Sequence, residues 1–270
     1  MRARRRFGQH FLEPVWAAKV LAAIAPDPQD TFLEIGPGRG ALTGQLASRA
    51  RQLVAVEIDR DLAASLTKRL PANVRIVTGD VLEVDLSGAL PPDAGRVRVA
   101  GNLPYNVSSP ILRRLFALHE ADGRVTDATL MLQREVADRI AARPGTREYG
   151  VLTVAAARHA RVERLLELPP GAFRPVPKVH SALVRLVFRR DDEVMAIPER
   201  LDALVRAVFA QRRKRLSNAL RPFADATGVP AADALARAGI DPARRPETVS
   251  LEEFIRLAAA LDPVRPDLGP

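Results

Sequence analysis

Glu34-Ile35-Gly36-Pro37-Gly38-Arg39-Gly40 closes an apolar run that begins at Thr31 and leads into a helix-compatible segment. A strand that ends in a glycine turn and feeds a helix is the opening unit of a parallel α/β sheet. The glycines permit a tight turn and let a ligand come close to the main chain. Their spacing, G-x-G-x-G, departs from the G-x-G-x-x-G that cradles a dinucleotide pyrophosphate. Working outward, short β-branched runs at 31–35, 53–58, 74–77, 97–100 and 128–132 each precede a helical pattern, which predicts repeated βα units. Two further runs, 161–168 and 181–188, are joined by a proline-rich connection with no obvious helix between them. They predict an antiparallel pair at the sheet edge.

Beyond Phe188 the pattern changes. A polar stretch, 189–199, reads as a linker, and only helical patterns follow, at 201–210, 213–223, 231–238 and 251–261. The expected organisation is a ligand-binding α/β domain over 1–188 and a small all-helical domain over 200–270.

Chemistry-bearing residues recur where these strands end. Glu57 closes the second run about 20 residues beyond Gly36, where a carboxylate accepts both hydroxyls of a ribose. Asp80 closes the third, placed to bond an adenine amine, although alone it would serve equally as a helix cap. Asn102-Leu103-Pro104-Tyr105 closes the fourth. An amide carbonyl and a main-chain carbonyl exposed by the proline can accept hydrogen bonds from an exocyclic amine, and Tyr105 offers a stacking face. Alone, that segment also suits a strand ending in a proline turn with its tyrosine in a core. Four sites on four successive strand ends form a far more specific series, because ligands of open α/β sheets lie along the carboxyl edge.

Composition narrows the chemistry. A formal charge of +9 and a pI near 10.9 favour a polyanionic partner. The positive residues cluster at Arg2, Arg4, Arg5 and Arg6 and again at Arg212, Arg213, Lys214 and Arg215. With no cysteine, disulfides, thiolate metal sites and cysteine attack on a pyrimidine ring are excluded. His10, His119, His159 and His180 show no i, i+4 pairing with carboxylates, so no metal site is expected. No apolar run approaches a membrane span and the N-terminus lacks a signal-like core, so a cytoplasmic protein without membrane attachment is expected.

The chain resembles the class I S-adenosylmethionine-dependent methyltransferases, whose sheet is Rossmann-like. Asn-Leu-Pro-Tyr narrows the likeness to enzymes acting on the exocyclic amine of adenine. Arg6-Phe7-Gly8-Gln9-His10-Phe11-Leu12, Leu132-Gln133-Arg134-Glu135-Val136-Ala137 with Tyr149-Gly150, Phe173-Arg174-Pro175-Val176-Pro177-Lys178-Val179-His180-Ser181 and Arg212-Arg213-Lys214-Arg215-Leu216 appear in order. Together they resemble the small-subunit ribosomal RNA adenine dimethyltransferase family, which places two methyls on each of two adjacent adenosines in the last hairpin loop. The resemblance implies S-adenosylmethionine as cofactor, held by His10, Leu12, Gly36, Glu57, Asp80 and Asn102, with their neighbours Gly38, Ile58 and Val81. His10 departs from the asparagine frequent in the family; an imidazole still donates one hydrogen bond.

For catalysis the resemblance implies Asn102, Leu103, Pro104 and Tyr105, with Phe173 on the opposite face of the base, a residue equally suited to a core position. Arg4, Arg5, Arg6, Lys178, Arg212, Arg213, Lys214 and Arg215 are expected to hold the RNA backbone of an immature small ribosomal subunit. The expected state is a monomer. The nearest rival is an enzyme of the same fold that methylates large-subunit RNA and confers macrolide-type resistance; that group usually has isoleucine where this chain has Leu103. A noncatalytic ribosome-assembly factor would not require Gly36, Glu57, Asp80 and Asn102 all intact, and a dinucleotide oxidoreductase lacks its third glycine here.

Overall fold

In the computed structural model, residues 9–189 and 198–262 are described. The chain divides into two compact units. One takes the described residues of Met1–Asp138 and His159–Arg190, the other those of Arg139–Arg158 and Asp191–Pro270.

The first unit is built on a seven-stranded sheet. Its parallel part consists of β2 (Thr31–Ile35), β3 (Gln52–Glu57), β4 (Val74–Thr78), β5 (Val97–Asn102) and β6 (Val125–Gln133). Helices α1 (Pro14–Ile24), α2 (Thr43–Ala47), α3 (Arg60–Thr67), α4 (Leu86–Ala89) and α5 (Ser108–Ala121) alternate with them, and α6 (Arg134–Ile140) and α7 (Val151–His159) follow β6 in the chain. β7 (Ala160–Leu168) and β9 (Ser181–Phe188) complete the sheet, with β9 antiparallel to both β6 and β7. The order is β4-β3-β2-β5-β6-β9-β7. β2 therefore has β3 on one side and β5 on the other. Strand order reverses there, and the carboxyl ends splay to form a crevice.

This is the class I methyltransferase arrangement expected from the sequence, with its antiparallel edge pair and an all-helical second part. β2 and β9 begin and end where the sequence pattern put them, and the remaining strands agree to within a few residues. The near-continuous apolar runs reflect a sheet covered on both faces: every residue of β2 is buried, as are the last five of β3 and the first five of β5.

A pair of short strands has no counterpart in the sequence pattern. β1 (Phe11–Leu12) pairs antiparallel with β8 (Phe173–Arg174), Phe11 opposite Arg174 and Leu12 opposite Phe173. The pairing continues as Glu13 N donates to Ala172 O at 2.9 Å. Leu12, Leu21, Phe32 and Leu183 share a core with Phe173, whose side chain is fully buried.

At the amino edge of the sheet, buried charge joins several elements. Arg98 on β5 is 5% exposed. Its Nε donates to Asp127 Oδ2 of β6 and its Nη1 to Asp30 Oδ2 just before β2, both at 2.8 Å. Nη1 and Nη2 also reach Ala25 O and Ile24 O at 3.0 and 2.8 Å, so one guanidinium caps the carboxyl end of α1. Arg185 of β9 joins from the other side, donating to the carbonyls of Ala23 and Ile24.

The second unit contains α8 (Leu201–Ala210), α9 (Leu216–Thr227), α10 (Ala231–Ala238) and α11 (Leu251–Ala260). Their core includes Leu204, Val208, Leu220, Leu235 and Phe254. Tyr149 and Val154 lie in the same core, the Tyr149 hydroxyl donates to Val249 O at 2.7 Å, and Gly145 N donates to Glu247 O at 2.7 Å. These contacts are why Arg139–Arg158 groups with the helices. A capping box at Ser250 and Glu253 starts α11, and Gly228 in the left-handed region ends α9. Among the described residues no helix is long and apolar enough to cross a membrane.

Removing the Arg98 side chain would strand two buried aspartates, so Arg98→Ala is expected to destabilise the sheet unit by roughly 3–5 kcal/mol. Arg96, which also reaches Asp127 but is exposed, should cost less than about 1 kcal/mol when replaced by alanine. Urea unfolding midpoints of the two variants give the comparison, and equal losses would show that Arg98 is not the principal tie.

Candidate functional site

The carboxyl ends of β2, β3, β4 and β5 surround a cavity of about 360 Å³, within the range of small-ligand sites. The loop after β2 forms its floor. Gly36 and Gly38 there have φ of +67° and +58°, a region that strongly favours glycine. A Cβ on Gly38 would press on the Phe11 ring at 3.2 Å, so the residue type is also fixed by the close approach of β1.

Glu57, 4% exposed, ties this loop to the next strand. Its Oε2 accepts from Gly38 N and its Oε1 from Asp59 N, both at 2.9 Å. Burial raises its pKa while these amide bonds oppose the rise. Each carboxylate oxygen has one further lone pair for a ligand hydroxyl. Asp80 borders the cavity after β4, and its Oδ1 accepts from Leu82 N at 2.9 Å, ordering the turn that carries Val81 and Leu82. Asp80 thus caps a turn, where a helix cap was the alternative expectation, and borders the cavity.

On the opposite wall, Asn102 at the end of β5 donates from Nδ2 to His10 O at 2.7 Å. That bond settles the direction of the amide. Its Oδ1 is therefore the acceptor available to a ligand donor. Leu103, Pro104 and Tyr105 follow along the wall, and the Tyr105 hydroxyl lies 2.8 Å from Ser181 Oγ on β9. Burial raises the tyrosine pKa. The residues before and within β1 form the remaining side: Gln9, His10, Phe11 and Leu12 all border the cavity. Gln9 Nε2 reaches Asp59 Oδ2 at 3.4 Å, and the Arg39 guanidinium sits over the Phe11 ring at 4.2 Å.

The structure therefore brings together His10, Leu12, Gly36, Gly38, Glu57, Ile58, Asp80, Val81, Asn102, Leu103, Pro104 and Tyr105 around one space. Phe173 does not border it. Pairing of β8 with β1 turns that side chain into the core beneath, so it presents no face to a base in this structure. Lys178 is exposed on the loop between β8 and β9; Arg213, Lys214 and Arg215 are exposed before α9, and Arg212 is half-buried, its Nη2 donating to Thr146 O. Arg4, Arg5 and Arg6 lie outside the described residues. No group of metal-binding side chains occurs among the described residues.

Sequence reasoning did not assign roles to Phe11, Arg39 or Glu34. Glu34 on β2 is 2% exposed, borders the cavity, and its Oε2 has no hydrogen-bond partner among the described residues. Burial pushes its carboxyl up to about 8, helped by the charge of Glu57. The signal was present, since an acid inside an all-apolar strand is costly unless used. A site with left-handed glycines, the Glu57 carboxylate with lone pairs for hydroxyls and an unpartnered buried carboxyl at Glu34 fits the adenosine and amino-acid portions of S-adenosylmethionine.

Residues 1–262 match the model of the family described as ribosomal RNA adenine dimethylase. Similar curated proteins include ribosomal RNA small subunit methyltransferase A of Acinetobacter baylyi, 45% identical over 266 residues, covering 97% of this chain and 93% of that protein. The protein of the same name from Aromatoleum aromaticum is 45% identical over 259 residues, with 95% and 93% covered. Among solved structures, a dimethyladenosine transferase from Plasmodium falciparum superposes with a TM-score of 0.77 at 25% identity, covering 92% of this chain and 96% of that one. The 23S rRNA methyltransferase ErmE gives 0.68 at 30% identity, covering 93% and 99%.

Glu34 makes stability pH-dependent in a defined sense. A carboxyl raised from 4.5 to about 8 binds a proton in the folded but not the unfolded chain between those values. Its stabilising contribution is complete below 4.5 and is lost as the pH rises through about 8. Glu34→Gln cannot titrate, so its urea midpoint should fall less than the parent's across this interval in the absence of ligand; parallel curves would count against the assignment.

Proposed function

Since the chain belongs to the ribosomal RNA adenine dimethylase family and is an S-adenosylmethionine-dependent RNA methyltransferase, we propose that it acts on the small ribosomal subunit. The proposed reaction is dimethylation of the exocyclic amines of two adjacent adenosines in the 3′-terminal hairpin loop, coupled to subunit biogenesis in the cytoplasm, with the enzyme working as a monomer. The observation that carries the chemical reading is the Asn102 amide, whose nitrogen is held by His10 O so that its oxygen is left as the acceptor. The likeness to proteins named small subunit methyltransferase A, over nearly the whole chain, supports the choice of subunit. The ErmE likeness at lower identity keeps large-subunit RNA as the competing substrate.

S-adenosylmethionine, when bound, supplies the electrophilic methyl carbon. The chain's own task is to present a nitrogen whose lone pair is delocalised into the purine ring. Asn102 Oδ1 and a main-chain carbonyl of the Leu103-Pro104 pair would each accept one N–H of the amine, biasing the nitrogen towards a pyramidal geometry. Pro104 O already accepts from Val107 N at 3.2 Å, which favours Leu103 O as the second acceptor. Tyr105 would stack on the extruded base, a contact of roughly 1–3 kcal/mol. No general base is needed, because the product ammonium is acidic enough to lose its proton to water. After the first transfer one N–H is gone, and the site must hold a methyl where a donor was.

The Asp80 carboxylate, the Glu57 carboxylate and the loop of Gly36 and Gly38 would hold the adenosine end of the cofactor, with Ile58 and Val81 as apolar neighbours. Leu12 and His10 would close its other side. Lys178, Arg212, Arg213, Lys214 and Arg215 would contact RNA phosphates.

Transfer of labelled methyl from S-adenosylmethionine to unmodified small subunits, run beside large-subunit RNA with the product nucleoside mapped, tests the reading. Dimethyladenosine at the adjacent pair in the small-subunit hairpin is expected; label only in large-subunit RNA would replace that substrate assignment. Asn102→Ala should lower the rate by at least about 10²-fold while the melting curve stays close to the parent's. Tyr105→Ala should be severe and Tyr105→Phe mild, since stacking needs the ring and only the Ser181 contact needs the hydroxyl. For the basic residues, replacing Arg213, Lys214 and Arg215 with alanine should reduce the slope of log affinity against log salt by about one for each phosphate no longer neutralised. An unchanged slope would remove them from the RNA interface.

A further inference from the structure

Contacts of three kinds converge on His10, and two of them end on the groups proposed to receive the target base. Its main-chain carbonyl accepts the Asn102 Nδ2 bond at 2.7 Å, which orients the amide. Its imidazole stacks on the Tyr105 ring, with centroids 5.4 Å apart and planes at 22°. Its Nδ1 lies 2.7 Å from Pro175 O, and because a carbonyl only accepts, Nδ1 carries the hydrogen. His10 and Pro175 flank the β1–β8 ladder, so this side-chain bond extends the ladder by one rung and holds the ring plane. Tyr105 is anchored at its hydroxyl by Ser181 and backed by the imidazole on one side, while it borders the cavity.

We propose that His10 is a positioning residue for base recognition: its imidazole backs Tyr105, and its carbonyl aims Asn102, so the segment that walls the cofactor cavity also sets the acceptor and the stacking face. The inference rests on the reading of Asn102 and Tyr105 given above. It departs from a pure cofactor contact in a measurable way. A residue that only holds the cofactor loses its effect when cofactor is saturating; one that aligns Tyr105 does not.

The backbone carbonyl survives any substitution at position 10, so the side chain isolates the ring's part. The experiment compares the full-length parent with His10→Ala and His10→Phe in single turnover on unmodified small subunits, at saturating S-adenosylmethionine and saturating subunit. His10→Ala should lower the transfer rate by about 3- to 10-fold, the scale of one missing aromatic pair, with subunit affinity within about twofold. His10→Phe, which keeps a ring behind Tyr105 but cannot bond Pro175 O, should recover to within about twofold of the parent. A deficit that disappears at saturating cofactor would overturn the proposal, as would His10→Phe being as slow as His10→Ala. Melting curves of both variants separate these outcomes from simple unfolding, and should His10→Ala be destabilised, a folded His10→Phe slower than the parent by more than about twofold at saturating cofactor overturns the proposal. A parent chain that transfers no methyl to small subunits would fell the functional reading itself; an active parent with the wrong variant pattern fells this inference alone.

Discussion

A single guanidinium fixes the end of the sheet that carries no ligand. Arg98 bonds Asp30, Asp127 and two carbonyls at the carboxyl end of α1, so β5, β6, the approach to β2 and the first helix share one buried charge centre. Such a cluster is costly to desolvate, and it stabilises because the guanidinium's hydrogens find acceptors, although Asp127 Oδ1 is left without a partner among the described residues. Its position matters more than its strength. By fixing the amino edge through side chains, it leaves the carboxyl edge to be shaped by main-chain geometry, where a ligand needs amides and carbonyls within reach.

At that carboxyl edge the balance of forces is different. Glu57 is buried yet held by two amides, whereas Glu34 is buried with an unpartnered oxygen. Two acids in one crevice, with different degrees of satisfaction, give the site one group engaged in organising the loop and one, protonated below about 8, with an oxygen left unpartnered. In the proposed reaction neither acts as nucleophile or base, because the amine is aligned rather than deprotonated.

Much of this was legible in the chain, and the reasons it was legible are physical. β2 is an uninterrupted buried run ended by glycines, and α8 and α10 have helical periodicity with clear boundaries, so local pattern sufficed. The four strand-end residues could be placed on one edge because parallel βα units deliver every strand end to the same side. What could not be read depends on non-local pairing. β1 and β8 are two residues each, too short for any period, and only their pairing decides that Phe173 turns into the core. Likewise, Arg139–Arg158 lies within the span expected to belong to the α/β domain, yet it groups with the helical unit, where Tyr149 reaches Val249. The direction of the Asn102 amide is set by a carbonyl 92 positions earlier in the chain.

The β1–β8 ladder also has a consequence for biosynthesis. His10 and Pro175 are 165 positions apart, so on a translating ribosome the wall of the cavity emerges early and waits for most of the sheet unit to follow. A nascent chain ending before Pro175 lacks the acceptor for His10 Nδ1 and cannot complete this wall. The closed cavity is therefore a property of the finished sheet unit and not of the glycine loop that the ribosome releases first.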